Sequence, residues 1–216
     1  MSARENILAR IRARQGKDGP ASPSEREAVR AYIRSHPGSP RPRMEWDPVA
    51  RFRERAFGLA STVDDVATLE AIPAAVARYL AAQSLPLAGV CWPELAGLDW
   101  RSAGMTVESR TARDADPIGI TGVFCAIAET GTLMTVTGRD TPATMSLLPE
   151  THVAVVRKSR IVPGMEEAWR LLRDELSEPP RAVTFISGPS RTADIEQTVT
   201  LGAHGPYRVH VILAPW

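Results

Sequence analysis

Five consecutive residues, Gly188-Pro189-Ser190-Arg191-Thr192, gather the groups that bind anions: a glycine that lets backbone N–H groups approach, two hydroxyls, and a guanidinium fork suited to carboxylate or phosphate. The preceding run Ala182–Ser187 reads as a buried strand, and Ala193-Asp194-Ile195-Glu196 is compatible with a helix. A strand–turn–helix junction of this kind presents free N–H groups and a helix dipole to an anion. We therefore assign Gly188, Ser190, Arg191 and Thr192 as ligand-binding residues. The alternative is a capped helix with Arg191 paired to Asp194 or another nearby acid. Two further segments carry candidate acid–base groups. In Ala128-Glu129-Thr130-Gly131-Thr132 a polar tip joins two apolar runs, the first preceded by Gly119–Gly122. There Glu129 suits a base or nucleophile, and Thr130, Gly131 and Thr132 suit binding of ligand oxygens. A solvated turn is the competing explanation. In Leu201-Gly202-Ala203-His204-Gly205-Pro206 the imidazole of His204 can exchange protons near neutral pH. A short helix after Thr192 would return His204 towards Arg191. His152, by contrast, begins a strand and packs against it.

The elements that must position these groups follow from periodicity. Ser2-x-x-Glu5 and Ser22-x-x-Glu25 are capping boxes ahead of the apolar stripes Ile7, Leu8, Ile11 and Val29, Tyr32, Ile33, so two short helices open the chain. The proline-rich stretch His36–Pro42 ends them, which makes residues 1–42 an appendage and 43–216 the compact domain. Asp47-Pro48 starts a third helix, with Val49, Phe52, Ala56 and Leu59 on one face. Leu69, Ile72, Val76 and Leu80 mark a fourth, and Met165, Trp169, Leu172 and Leu176 a later one. Ser61–Val66 reads as a short strand between the third and fourth helices. From Leu87 onward β-rich runs recur at Leu87–Trp92, Met105–Ser109, Gly122–Ala128, Thr132–Thr137, His152–Val156, Ala182–Ser187 and Val209–Leu213. Helices alternating with such runs predict an α/β layer fold. The adjacent runs at 122–137 and 152–156 predict that part of the sheet pairs locally.

Composition narrows the function classes. The 216 residues, 44% apolar and 24% charged, suffice for one good core. No apolar run reaches the ~20 residues that span a bilayer, and Met1–Glu5 lacks a signal-peptide centre, so a cytoplasmic location is expected. The net charge of +1 gives no global reason to expect nucleic acid. Its distribution is uneven: residues 1–55 carry +6 and the remainder −5, which suits either an anionic partner for the arm or solvated helix faces. Cys91 and Cys125 stand far apart without a CxxC pair, so they read as core residues, and no metal or iron–sulfur site is expected in this chain. The motifs HExxH, GxSxG, the Walker loop and a strand-following GxGxxG are absent, which removes the commonest protease, esterase, nucleotide triphosphatase and dinucleotide-binding readings.

Four segments in order, GITGVFCAIAETGTL (Gly119–Leu133), SLLP (Ser146–Pro149), ISGPSRTADIE (Ile186–Glu196) and LGAHGP (Leu201–Pro206), resemble the LUD domain of the lactate-utilisation protein C family. The resemblance runs from about residue 45 to the C-terminus, and Arg4–Leu8 also suits the family. It implies a three-layer α/β/α sandwich similar to the sugar-phosphate isomerase and CoA-transferase group. It also implies a part in oxidising L-lactate to pyruvate beside iron–sulfur partner subunits, with this chain as the cluster-free subunit. The alternative is a free-standing enzyme on the same scaffold that binds an acyl-CoA, sugar phosphate or hydroxy acid.

Overall fold

Side chains alternate across a β-strand, so a strand buried on both faces must be apolar throughout. His152–Val156 and Val209–Leu213, apolar except for His152 and His210, come nearest to that condition and become the centre of the main sheet. The computed structural model describes residues 2–17, 19–38, 40–194 and 197–215, and the chain falls into two units, Met1–Arg43 and Met44–Trp216.

The first unit holds α1 (Ala3–Arg14) and α2 (Pro23–Ser35). Both expected capping boxes form: Glu5 N–H donates to Ser2 Oγ at 3.3 Å, and Glu25 N–H donates to Ser22 Oγ at 3.2 Å. Neither helix buries a residue, and Ile7, Ile11, Val29, Tyr32 and Ile33 are exposed.

In the second unit Asp47 caps α3 (Pro48–Gly58), its carboxylate accepting from Ala50 N–H at 2.7 Å. There follow β1 (Thr62–Asp65), α4 (Ile72–Ala82), β2 (Ala88–Cys91), β3 (Thr106–Ser109), β4 (Ile118–Gly122), β5 (Cys125–Ile127), β6 (Thr132–Val136) and the single-turn α5 (Thr144–Leu147). The chain then continues through β7 (Thr151–Arg157), β8 (Ile161–Val162), α6 (Met165–Glu175), β9 (Val183–Ile186), β10 (Arg191–Thr192), β11 (Thr200–Leu201) and β12 (Arg208–Ala214).

Six strands form an all-parallel sheet in the order β1-β12-β7-β4-β2-β3. Helices flank it. Val153, Val155, Ile212 and Ala214 face Ile72, Ala75, Val76 and Leu80 of α4. Their alternates Ala154, Val156, Val209, Val211 and Leu213 face Phe52 and Ala56 of α3. The fold is thus mixed α/β, with a parallel central sheet covered by helices.

A second sheet, β8-β5-β6-β9, grows from the carboxyl edge of the first. β4 and β7 are parallel neighbours, and their continuations β5 and β8 are again parallel neighbours. β6 folds back antiparallel on β5, and β9 antiparallel on β6. Cys125, Ile127 and Met134 pack on Ala168 and Leu172 of α6, while Ala126, Ala128 and Leu133 join the α3 cluster. The last turn of α3 therefore lies where the two sheets meet.

Two sequence expectations change here. The run Gly122–Ala128 is not one strand, because Val123 and Phe124 turn the corner between sheets. Arg160 holds that corner: its guanidinium lies over the Phe124 ring, donates to Phe124 O and pairs with Glu175. Within 122–157, the local pairing is the β5–β6 hairpin. The 152–156 run, apolar on both faces, joins the central sheet instead.

Candidate functional site

A cleft of about 620 Å³ opens between the C-terminal turn of α3, the β5–β6 tip and the end of β9. Glu54, Arg55 and Leu59 form one wall, Thr130, Thr132 and Ser187 another, and Met165 and Phe185 close it.

Two glycines set the separation of these walls. Gly131 has φ +70°, and a Cβ there would lie 2.5 Å from Ala56 N. Gly188 has φ +79°, and its Cβ would lie 2.3 Å from Leu59 O. Both positions need the left-handed conformation and the missing side chain, so the hairpin tip and the β9 exit press directly on α3. Polar contacts complete the clamp: Arg55 Nε–H donates to Glu129 O at 3.2 Å, and Arg191 donates to Leu59 O at 3.3 Å. Arg191 thereby places a cation at the negative end of α3.

The hydroxyls of Thr130, Thr132 and Ser187 form a short chain. Thr130 donates to Thr132 at 2.8 Å, and Thr132 and Ser187 share a bond of 2.7 Å. Three protons serve two internal bonds, so one O–H at the Thr132–Ser187 end remains to donate to an acceptor. Among the described residues Arg55 and Arg191 have no acidic partner, whereas Glu54 is paired with Arg51 at 2.9 Å. Spare donors and two unneutralised guanidiniums make the region suited to an anion.

The structure brings Glu129, Thr130, Gly131, Thr132, Gly188 and Arg191 around the end of α3, but by a route the sequence did not suggest. No helix follows Thr192 among the described residues. Arg191 and Thr192 pair with Leu201 and Thr200 as a small antiparallel hairpin, and Thr192 Oγ accepts from Asp194 N–H at 3.3 Å. Ile195 and Glu196, the end of the expected helix, lie outside the described residues. β9 is also an edge strand of the small sheet, half-exposed rather than buried, so the turn after it does not sit at the carboxyl edge of the central sheet. The helix-dipole basis for anion binding at Gly188–Thr192 is replaced by side-chain donors. Arg191 pairs with a helix carbonyl and not with Asp194.

The Leu201–Pro206 loop does return to this segment, through the hairpin: Ser190 N–H donates to Pro206 O, and Gly202 N–H donates to Ser190 O, both at 2.9 Å. His204 on that loop is exposed. His152 lies in β7, fully buried, with Nε2 2.8 Å from Thr121 Oγ1, and burial holds its pKa down at about 4. Cys91 and Cys125 are buried free thiols pushed up to about 11 and about 12, so neither is a nucleophile at neutral pH. Among the described residues no three His, Cys, Asp or Glu side chains are grouped to hold a metal ion, and no helix is long and apolar enough to cross a membrane.

The sequence did not reveal Arg55, Leu59, Phe185 or Ser187 as site residues. Arg55 read as one more charge on a solvated helix face, and Ser187 as the last residue of a buried strand. The one signal available was Ser187 standing immediately before Gly188.

The profile of the LUD domain matches residues 96–214, more than half of the chain and all of the cleft except the α3 wall. The chain is 41% identical over 96 residues to a protein from Anoxybacillus flavithermus named lactate utilization protein C, covering 44% of this chain and 43% of that one. It is 40% identical over 119 residues to the protein of that name from Exiguobacterium sp. (53% and 51% covered), and 35% identical over 127 residues to that from Bacillus subtilis (53% of each). The matches span about half the length of these curated relatives. The crystal structure of a DUF162 family protein from Deinococcus radiodurans superposes with a TM-score of 0.57 at 25% identity, covering 77% of this chain and 96% of that one. With the profile running from the carboxyl side of β2 through β12, the chain belongs to the LUD domain family.

Proposed function

We propose that this chain acts in lactate utilisation as a non-redox subunit of a cytoplasmic assembly that oxidises L-lactate to pyruvate, and that its cleft holds an anionic ligand. The observation that carries the assignment is the set of relatives named lactate utilization protein C, 31–41% identical over about half of this chain. The proposal assigns electron transfer to iron–sulfur clusters in partner subunits, since the two thiols of this chain are sealed in separate core clusters. Within the cleft, Arg55 and the hydroxyl chain of Thr130, Thr132 and Ser187, with its spare proton at the Thr132–Ser187 end, meet the ligand oxygens. Gly131 and Gly188 fix the walls, and Arg191 holds the end of α3. Ser190 and Thr192 secure the hairpin beneath. Glu129, half-buried at the tip and tied to Arg55 through its carbonyl, is the carboxylate assigned to a ligand hydroxyl. His204 is exposed on its loop and is not among the described residues that line the cleft.

The test is reconstitution. Purified iron–sulfur partner subunits are assayed for L-lactate oxidation with and without this chain. The proposal expects at least a tenfold higher rate, or assembly only, when the chain is present. Full assembly and full rate without it would exclude the role.

A further inference from the structure

The cleft is larger than lactate needs. Lactate has six heavy atoms and fills on the order of 100 Å³, three or four waters at roughly 30 Å³ each, against about 620 Å³ here. That volume falls in the roughly 300–1,000 Å³ range that holds ligands several times bigger. The polarity is also divided. Arg55, Thr132 and Ser187 contribute donors, Glu54 a carboxylate already paired with Arg51, and Leu59, Met165 and Phe185 an apolar part of the lining. Phe185 is 37% exposed although it is a large aromatic residue, and its ring is braced edge-on by Trp169, with centroids 5.6 Å apart and planes at 65°. An exposed but braced ring beside a cluster of anion donors suits a flat group stacked next to a charged head.

The geometry points to a planar, aromatic monophosphate of mononucleotide size as the ligand of this cleft, its phosphate on Arg55 and the spare hydroxyl proton, its ring system on Phe185. This rests on the reading of the cleft as the anion site. It makes L-lactate a compound handled elsewhere in the assembly.

Isothermal titration of the full chain with adenosine 5′-monophosphate, flavin mononucleotide, inorganic phosphate and L-lactate tests it. At least one of the two nucleotides is expected to bind about tenfold or more tighter than phosphate or lactate. Arg55→Ala should weaken nucleotide and phosphate alike, by about tenfold, the size expected for a charge-assisted hydrogen bond. Phe185→Leu, which keeps the strand apolar, should weaken the nucleotide alone. If phosphate or lactate binds as tightly as the nucleotides, is lost with Arg55→Ala and is unaffected by Phe185→Leu, the ligand class is wrong and the anion site stands. If none of the four probes binds the folded protein, both the ligand class and the anion site fall.

Discussion

On the central strands of the six-stranded sheet the histidines are sealed in, whereas at the strand ends of the four-stranded sheet the hydroxyls are left with something to give. His152 and His210 sit on the central strands β7 and β12, each at most 1% exposed. Each ring has one hydroxyl partner, Thr121 for His152 and Thr62 for His210, both at 2.8 Å. The other ring nitrogens, His152 Nδ1 and His210 Nε2, are buried without a protein partner, and Tyr79 stacks on His210 at 3.7 Å. Desolvation lowers both pKa values to about 4. Thr130, Thr132 and Ser187, at the ends of the small-sheet strands, keep a spare proton facing a cleft. Residue type alone would favour the histidines for chemistry. Burial silences them and leaves it to hydroxyls and arginines.

The largest effect that tests this contrast is acid sensitivity. Each histidine has a folded pKa near 4 against 6.5 when unfolded, so the unfolded state binds more protons between those values. The stabilisation is complete above pH 6.5 and is lost as pH falls towards 4. By pH 5 it should cost about 2 kcal/mol per histidine, about 4 kcal/mol together. Urea unfolding at pH 7.5 and 5.0 measures it, and His152→Leu should remove about half of the difference. An unchanged midpoint would mean that the rings are not held neutral. Next in size, Gly188→Ala should cost about 3 kcal/mol, from the left-handed backbone and the overlap with Leu59 O. Thermal unfolding of that variant should show a clear fall in Tm, whereas Gly205→Ala, whose Cβ would meet only the Ser190 side chain at 3.3 Å, should show a small one. Thr132→Val keeps the shape, leaves Thr130 and Ser187 free to turn to water, and should cost about 1 kcal/mol in the same assay. Smallest is Arg191→Ala, which removes one exposed bond to a helix carbonyl and should cost about 0.5 kcal/mol.

The same contrast explains what could be read from the sequence. Where a segment's own residues determine its structure, the expectation matches: Ser2 and Ser22 cap α1 and α2, Asp47 caps α3, and the spacing of Met165, Trp169 and Leu172 gives α6, which stops one residue short of Leu176. The polar tip at Glu129–Thr132 was legible because its glycine and threonines lie together in the chain. Arg191 and Thr192 were misread because their structure depends on Leu201 and Thr200, eight to ten residues further on, and a two-residue strand has no period to detect. Arg55 was missed for a related reason. It lies 74 residues from Glu129, and only tertiary packing of α3 against two glycines brings them together.

L-lactate consumption by cells that carry Arg55→Ala with Thr132→Val in this chain, at unchanged protein level, tests the central claim most directly. The account predicts a loss of about tenfold or more, close to that of cells lacking the chain. Wild-type consumption by the double variant, in cells where deleting the whole chain stops it, would show that the protein is needed and the cleft is not.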